Sequence, residues 1–146
     1  VRAADLKGYS YSREDVDARS LANQYAGILG NIFTHEMKPM EVEILVAEVG
    51  TEPTDDQVFH ILYDGSVVDE DRYSVIGGDA ETIGARLEES FKPGLDLQAA
   101  LRAAVGALAG PERTLSAPEL EVAVLARGNG RRAFRRIEDD ELTSLL

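Results

Sequence analysis

The feature that most constrains the fold is a short apolar run, Ile44-Leu45-Val46-Ala47, inside the segment 41–49. The segment starts by alternating polar and apolar residues and then becomes continuously apolar, which is typical of a strand covered on both faces. Such a strand needs a helix layer on one side and a second layer on the other. The run therefore predicts helix layers around sheets.

The remaining segments predict the element order α-β-β-β-α-α-β-β-α, with residues 1–11 polar and irregular. Helices are predicted at 12–36, where Ser12 and Asp15 form a capping pair, at 79–91 and 96–108, where Asp79 and Asp96 are caps, and from residue 138 onward. Strands are predicted at 41–49, 58–63, 73–76, 120–125 and 132–137, with a loop rather than an immediate strand after Asp64-Gly65. Because helices come in blocks and strands pair locally, this order predicts antiparallel sheets and argues against a doubly wound parallel sheet.

Composition excludes several classes of function. The chain has 146 residues, of which 44% are hydrophobic, so we expect one domain spanning 1–146. Its formal charge of −12 disfavours nucleic acid as a partner, and no apolar run reaches membrane-spanning length. There is no cysteine, which removes disulfides, thiol nucleophiles and Cys-based zinc sites and fits a cytoplasmic location.

The glycine turn in the stretch 73–83 is a candidate site because a predicted strand runs into Gly77-Gly78, and Asp79 then opens a helix. Such a turn can hold a phosphate, present a nucleophile or simply connect a sheet to a helix. A Walker loop requires a lysine and a hydroxyl residue after its second glycine, and both are missing. Asp79 and Glu81 would repel a phosphate, so the stretch is interpreted as a connection.

Other candidates for chemistry are the two histidines, His35 and His60, and eight acidic residues between Glu48 and Asp71. His35-Glu36 lacks the second histidine of a zincin helix, and no Gly-x-Ser-x-Gly elbow supports a serine nucleophile. The acidic block lacks the spacing and the central glycine of an EF-hand, so a solvated loop is the better interpretation. We predict no catalytic, cofactor-binding or metal-binding residue and no cofactor.

Five of the 15 basic residues lie within ten positions near the end of the chain: Arg127, Arg131, Arg132, Arg135 and Arg136. On a strand, Arg132 and Arg136 share a face with Phe134, whereas Arg135 points to the other side. Nucleic-acid binding is the weaker interpretation in so acidic a chain. Arginine beside an aromatic residue is more typical of a protein–protein contact.

Several segments, in this order and spacing, resemble those of proteasome α-type subunits, and most of all the actinobacterial α subunit, over residues 9–137. These segments are Tyr9-Ser-Tyr11, Leu21-Ala-Asn-Gln-Tyr-Ala26, Lys38-Pro-Met-Glu-Val42, Ile44-Leu-Val-Ala-Glu-Val49, Tyr63-Asp-Gly-Ser66, Tyr73-Ser-Val-Ile-Gly-Gly78, Leu97 to Leu108, Leu120-Glu-Val-Ala-Val124 and Arg131-Arg-Ala-Phe-Arg-Arg-Ile137. The resemblance implies an α+β fold of the N-terminal nucleophile hydrolase type, a four-layer αββα sandwich with antiparallel sheets.

The resemblance also implies a function. Proteasome α subunits form heptameric rings that cap the β rings of the 20S core particle, gate the entry of unfolded protein substrates and receive an ATPase activator ring, all in the cytoplasm. They do no proteolysis, because the β subunits carry the N-terminal threonine of this threonine endopeptidase complex. Where β subunits have a hydroxyl-rich turn, this chain has Gly77-Gly78-Asp79-Ala80, and it begins with Val1. The resemblance therefore implies a structural and gating subunit without catalytic residues.

One departure concerns the start of the chain. Family members have a gating tail, a helix and two strands before the equivalent of Val1, together with the lysine-containing pocket that receives the activator's C-termini. We therefore expect the chain to represent the C-terminal two-thirds of the family fold, with unpaired sheet edges at 41–49 and 120–125. A free-standing hydrolase of the same fold and an unrelated acidic protein-interaction domain are the alternative functions.

Overall fold

The computed structural model describes residues 2–10, 16–128 and 133–146, which form two compact units, Val1–Ser74 and Val75–Leu146. The first unit contains α1 (Arg2–Ser10), α2 (Ala18–His35), β1 (Ile44–Glu48), β2 (Gln57–Ile61) and β3 (Val67–Asp69). The second contains α3 (Ala80–Ser90), α4 (Leu97–Ala109), β4 (Val122–Leu125), β5 (Phe134–Ile137) and α5 (Asp139–Leu145). Two 3-10 turns, Pro53–Asp55 and Ala117–Glu119, precede β2 and β4.

The first unit packs α2 on a three-stranded antiparallel sheet in which β2 is the central strand. Alternate side chains of β1 and β2 point towards α2, because successive residues of a strand face opposite sides of the sheet. The buried core consists of Ala18, Ala22, Leu29, Phe59 and Ile61. Small alanines on the helix allow the large side chains of the strands to fill the space between the two layers.

Two carboxylates cap the N-terminus of α2. Asp17 Oδ1 accepts the backbone N–H of Ser20 at 2.6 Å, and Glu48 Oε2 on β1 accepts the N–H of Ala18 at 2.6 Å. The predicted helix 12–36 is therefore wrong at its start among the described residues, since Asp17 is an extended N-cap and the helix begins at Ala18. The predicted caps Ser12 and Asp15 lie outside the described residues.

The second unit has a pair of helices, α3 and α4, and a two-stranded antiparallel sheet of β4 and β5. Its buried core is formed by Leu101, Ala117, Ile137 and Leu142, which come from α4, a 3-10 turn, β5 and α5. Asp96 caps α4 as predicted, because its Oδ1 accepts the N–H of Ala99 at 2.8 Å. Asp79 stands at the N-cap position of α3, but its side chain makes no capping hydrogen bond.

Two further predictions differ from the structure. Residues 2–10 form a helix rather than an irregular segment, and Lys7 Nζ on this helix donates to Ser20 Oγ at 2.9 Å. The predicted strand 73–76 is also wrong, because these residues have no regular secondary structure. The third strand is β3, which follows the turn at Asp64-Gly65 directly, where a loop was expected. This turn is closed by the N–H of Gly65, which donates to Leu62 O at 3.0 Å.

The prediction that the strand 41–49 is covered on both faces is wrong for β1 within this chain, and β4 is likewise covered on one face only. In both strands half-buried residues alternate with exposed ones, and Leu45 on β1 is 40% exposed. Among the described strands, β1 pairs only with β2 and β4 only with β5, which agrees with the expected unpaired edges. Helices combined with antiparallel sheets confirm the α+β class, whereas the four-layer arrangement and the single domain stay predictions.

Candidate functional site

The glycine turn at Gly77-Gly78 belongs to the second unit, which begins at Val75, and it leads directly into α3. Irregular chain precedes it in place of the predicted strand, and Gly77 has a φ of +119°. An added Cβ at Gly77 or Gly78 would meet no atom within 4 Å, so these glycines line no close-fitting cradle. The stretch has the geometry of a connection between irregular chain and α3.

The two histidines lie on different elements and contact different groups. His35 is exposed at the end of α2, with Nδ1 at 2.8 Å from Thr34 Oγ1. His60 lies on β2, with Nε2 at 2.5 Å from Glu43 Oε2 and Nδ1 at 3.5 Å from Glu70 Oε1. In the described part of the chain, no three residues among histidines and acids are arranged to hold a metal ion.

Members of the acidic block act as local hydrogen-bond acceptors in turns. Asp56 Oδ1 accepts the N–H of Gly50 at 2.9 Å, and Asp64 Oδ1 accepts the N–H of Ser66 at 2.8 Å. The hydrogen bonds from Ser66 hold the pKa of Asp64 below its usual value. These contacts identify Asp56 and Asp64 as turn formers on the surface.

Two arginines of the C-terminal cluster, Arg135 and Arg136, form ion pairs within the chain. Arg135 contacts both carboxylate oxygens of Glu141, at 2.8 and 2.9 Å, which joins β5 to α5. This fork-shaped contact raises the pKa of Arg135 and lowers that of Glu141. Arg136 Nη2 lies 2.7 Å from Glu121 Oε1, while Arg131 and Arg132 lie outside the described residues.

Each sheet has an outer face, which is the side turned away from its buried core. On the first sheet the outer face consists of Leu45, Ala47, Val58, His60 and Val68. On the second sheet it consists of Ala123, Leu125, Phe134 and Arg136, which agrees with the predicted sharing of one face by Phe134 and Arg136. Phe134 is 63% exposed and Val68 is 42% exposed. Apolar exposure of this kind is typical of surfaces that pack against another protein segment.

The sequence pattern did not predict these exposed outer faces. The continuous apolar run around Leu45 indicated burial on both sides, and periodicity alone does not show which chain supplies the second layer. The pattern therefore identified apolar strands correctly, but it predicted that residues of this chain cover both of their faces. In the described residues, no helix is long and apolar enough to cross a membrane.

Comparison with known proteins gives a family match over residues 3–125, and the family is described as proteasome subunit. "Proteasome subunit alpha" of Acidimicrobium ferrooxidans is 52% identical over 146 residues, covering 100% of this chain and 63% of that protein. The protein of the same name from Sanguibacter keddieii is 53% identical over 151 residues, covering 100% of this chain and 59% of its own length. The chain spans about 60% of the length of these curated relatives.

Proposed function

Because the chain belongs to the proteasome subunit family, we propose that it is part of a structural and gating α-ring subunit of the 20S core particle. In this proposal the α subunit forms a heptameric ring against the β rings, in the cytoplasm. Unfolded proteins pass through its pore, and an ATPase activator ring docks on it. Proteolysis inside the chamber belongs to the N-terminal threonines of the β subunits.

The observation that carries the proposal is the 52% identity along the whole of this chain to a protein named proteasome subunit alpha. The resemblance seen in the separate segments therefore extends through both units. This finding does not favour the alternatives of a free-standing hydrolase or an unrelated acidic interaction domain.

The chemistry of the described residues supports a non-catalytic role. A nucleophile is activated by a base within hydrogen-bond reach. Yet the turn Gly77-Gly78-Asp79-Ala80 carries no hydroxyl group, and His60 contacts two glutamates. We therefore assign the chain no catalytic residue and regard it as a component of a threonine-type endopeptidase complex.

The outer faces support a role in assembly. Leu45 and Phe134 expose large apolar side chains on sheet faces that carry few charges. A subunit whose sheets are completed by further protein surface would cover these side chains and gain the corresponding hydrophobic stabilisation. This agrees with a protein that works inside a larger particle.

The decisive experiment combines the full-length protein with a proteasome β subunit and follows cleavage of a fluorogenic peptide. We expect no cleavage by the α protein alone and cleavage after assembly with the β subunit. A β subunit with its N-terminal threonine changed to alanine is the matched control, and its assembled particles should be inactive. Native mass spectrometry should show rings containing both proteins. Cleavage by the α protein alone, or a monomer that ignores the β subunit, would refute the proposal.

A further inference from the structure

A cleft opens in the second unit where the end of α4 meets the start of α3. Its volume is about 440 Å³, and it is lined by residues of both helices and of the segment that follows α4. The apolar part of the lining consists of Ile83, Leu108, Ala109 and Pro111. Leu108 is 41% exposed, so an apolar group that enters the cleft can remove this side chain from water.

Two arginines line the same cleft and are held by backbone carbonyls at the end of α4. Arg86 Nη1 donates to Ala107 O at 3.2 Å. Arg113 Nη2 donates to Leu108 O at 3.1 Å. Gly110 makes room for the first guanidinium, because an added Cβ would lie 2.7 Å from Arg86 Nη1. The backbone therefore fixes both guanidiniums beside the cleft, and less side-chain freedom is left to lose when a ligand binds.

Both guanidiniums keep N–H groups for a further acceptor. A guanidinium carries several donors in a planar fork, and within the described residues Arg86 and Arg113 each donate to one carbonyl and form no ion pair. Arg113 acts electrostatically on Glu119 but forms no hydrogen bond with it. A carboxylate matches the fork, because its two oxygens accept two parallel N–H bonds. Arg86 is half-buried, so water screens such a contact less there than at an open surface.

Two acidic side chains, Asp79 and Glu112, line the cleft as well, and both are exposed. The lining thus combines two positive and two negative charges around its apolar part. A dianion such as phosphate is disfavoured, since both acids repel it. A protein segment that carries both signs is complementary to this lining, because its acidic side chain can reach the guanidiniums while its basic side chain pairs with an exposed acid.

We propose that this cleft is a docking site for a mixed-charge segment of a partner protein. In the docked segment a glutamate binds the two arginines, an apolar residue packs against Ile83 and Leu108, and a basic residue pairs with one of the two acids. The inference concerns the second unit and does not rest on the proposed function. Binding should be weak and should weaken further with salt, because charges at an open surface are screened.

The test adds the blocked peptide acetyl-Lys-Leu-Glu-amide to the full-length protein with isotope-labelled isoleucine and leucine methyl groups, observed by NMR. We expect saturable shifts of the Ile83 and Leu108 methyl signals at millimolar peptide and none at Ile28, an exposed isoleucine of the first unit. The peptide acetyl-Lys-Leu-Gln-amide lacks only the carboxylate and should bind about five- to tenfold more weakly. Equal binding of the two peptides, or no shift at Ile83, overturns the proposal.

Variants of the protein show which arginines bind the peptide. Arg113→Gln and Arg86→Gln should each weaken binding of the glutamate peptide by about five- to tenfold. The matched control is Arg102→Gln, which changes an exposed arginine of α4 that donates to Leu145 O, and it should bind like the wild type. The comparison of the two peptides uses the wild type, so it decides the matter even if Arg86→Gln does not fold. Unchanged affinity of Arg113→Gln overturns the proposal, as does an equal shift of Ile83 by inorganic phosphate, which would identify a simple anion site.

Discussion

Position 110, at the end of α4, requires glycine because of its backbone conformation and because of a neighbouring side chain. Its φ of +67° and ψ of −172° lie in a region that is essentially restricted to glycine. An added Cβ would also lie 2.7 Å from Arg86 Nη1, and this guanidinium donates to Ala107 O at 3.2 Å. The residue therefore ends α4 and leaves room for the arginine that joins α3 to α4.

We expect Gly110→Ala to lower the free energy of unfolding by about 1 to 3 kcal/mol, because it strains the backbone and displaces Arg86. Urea denaturation provides the measurement. Gly106→Ala is the matched control, since an added Cβ at this exposed position inside α4 meets nothing within 4 Å. It should stabilise the chain by about 0.5 to 1 kcal/mol through helix propensity. Equal effects of the two substitutions would contradict this account of Gly110.

Glu119 provides a pH-dependent contact in front of β4. Its Oε2 accepts the hydroxyl of Ser116 at 2.6 Å and the N–H of the same residue at 2.9 Å, and these bonds hold its pKa below the usual value of 4.5. A carboxyl group whose pKa is lower in the folded state than in the unfolded state stabilises the fold at every pH above its unfolded-state pKa. That stabilisation is lost as the pH falls through the pKa that the group has in the folded state.

We therefore expect the urea midpoint of the wild type to fall more steeply than that of Glu119→Gln when the pH is lowered from about 5.5 to about 3.5. Glu112→Gln removes the same charge from an exposed residue and should retain the wild-type slope. Parallel curves for the wild type and Glu119→Gln would show that the contact with Ser116 is not maintained in solution.

At the scale of elements, the sequence predicts helices with a clear apolar stripe better than short strands. The stripe containing Leu101 and Val105 predicted α4 closely, because a helix of this length repeats its pattern several times. The three residues of β3 are too few for any periodicity, so the sequence predicts the third strand at 73–76 instead. Helix α1 was missed because Lys7 and Ser20 stabilise it by a contact that no local pattern encodes.

The same limit applies to the contacts of the candidate site. The positions of His35 on a helix end and of His60 on a strand follow from the sequence pattern. The bridge from His60 to Glu43 and Glu70 does not, because it depends on the strand register, and a shift by one residue would turn His60 towards α2. The register between β2 and β3 is fixed by the turn at Asp64-Gly65, where the sequence indicated a loop.

The caps of α3 and α4 allow a direct comparison between two aspartates predicted to have the same role. Asp96 accepts a backbone N–H and Asp79 does not. Asp96→Ala should therefore lower the free energy of unfolding by about 1 kcal/mol, and Asp79→Ala should cost clearly less. Urea denaturation of both variants tests this, and a larger loss for Asp79→Ala would contradict the assigned capping geometry.

At the scale of the whole molecule, the dominant feature is apolar surface on the outer faces of both sheets. A dye such as ANS binds exposed apolar patches, so the 146-residue chain should enhance its fluorescence. Leu45→Ser and Phe134→Ser should each reduce that signal, because both residues belong to these faces. The control Met37→Ser removes a fully exposed side chain outside both sheets and should change it little. No reduction by either serine would argue against accessible outer faces.

The turn between β2 and β3 approaches α2 so closely that backbone meets backbone. At Gly65, whose φ is +88°, an added Cβ would lie 2.7 Å from Ala26 O and from Gly30 Cα. At Gly30, by contrast, the nearest atom to an added Cβ is Asp64 O at 3.5 Å, an ordinary contact. A library of all substitutions at both positions, selected for folded protein, should recover glycine alone at 65 but also alanine at 30. Two residues that face each other across one contact would thus be under unequal selection, because position 30 accepts alanine and position 65 accepts only glycine.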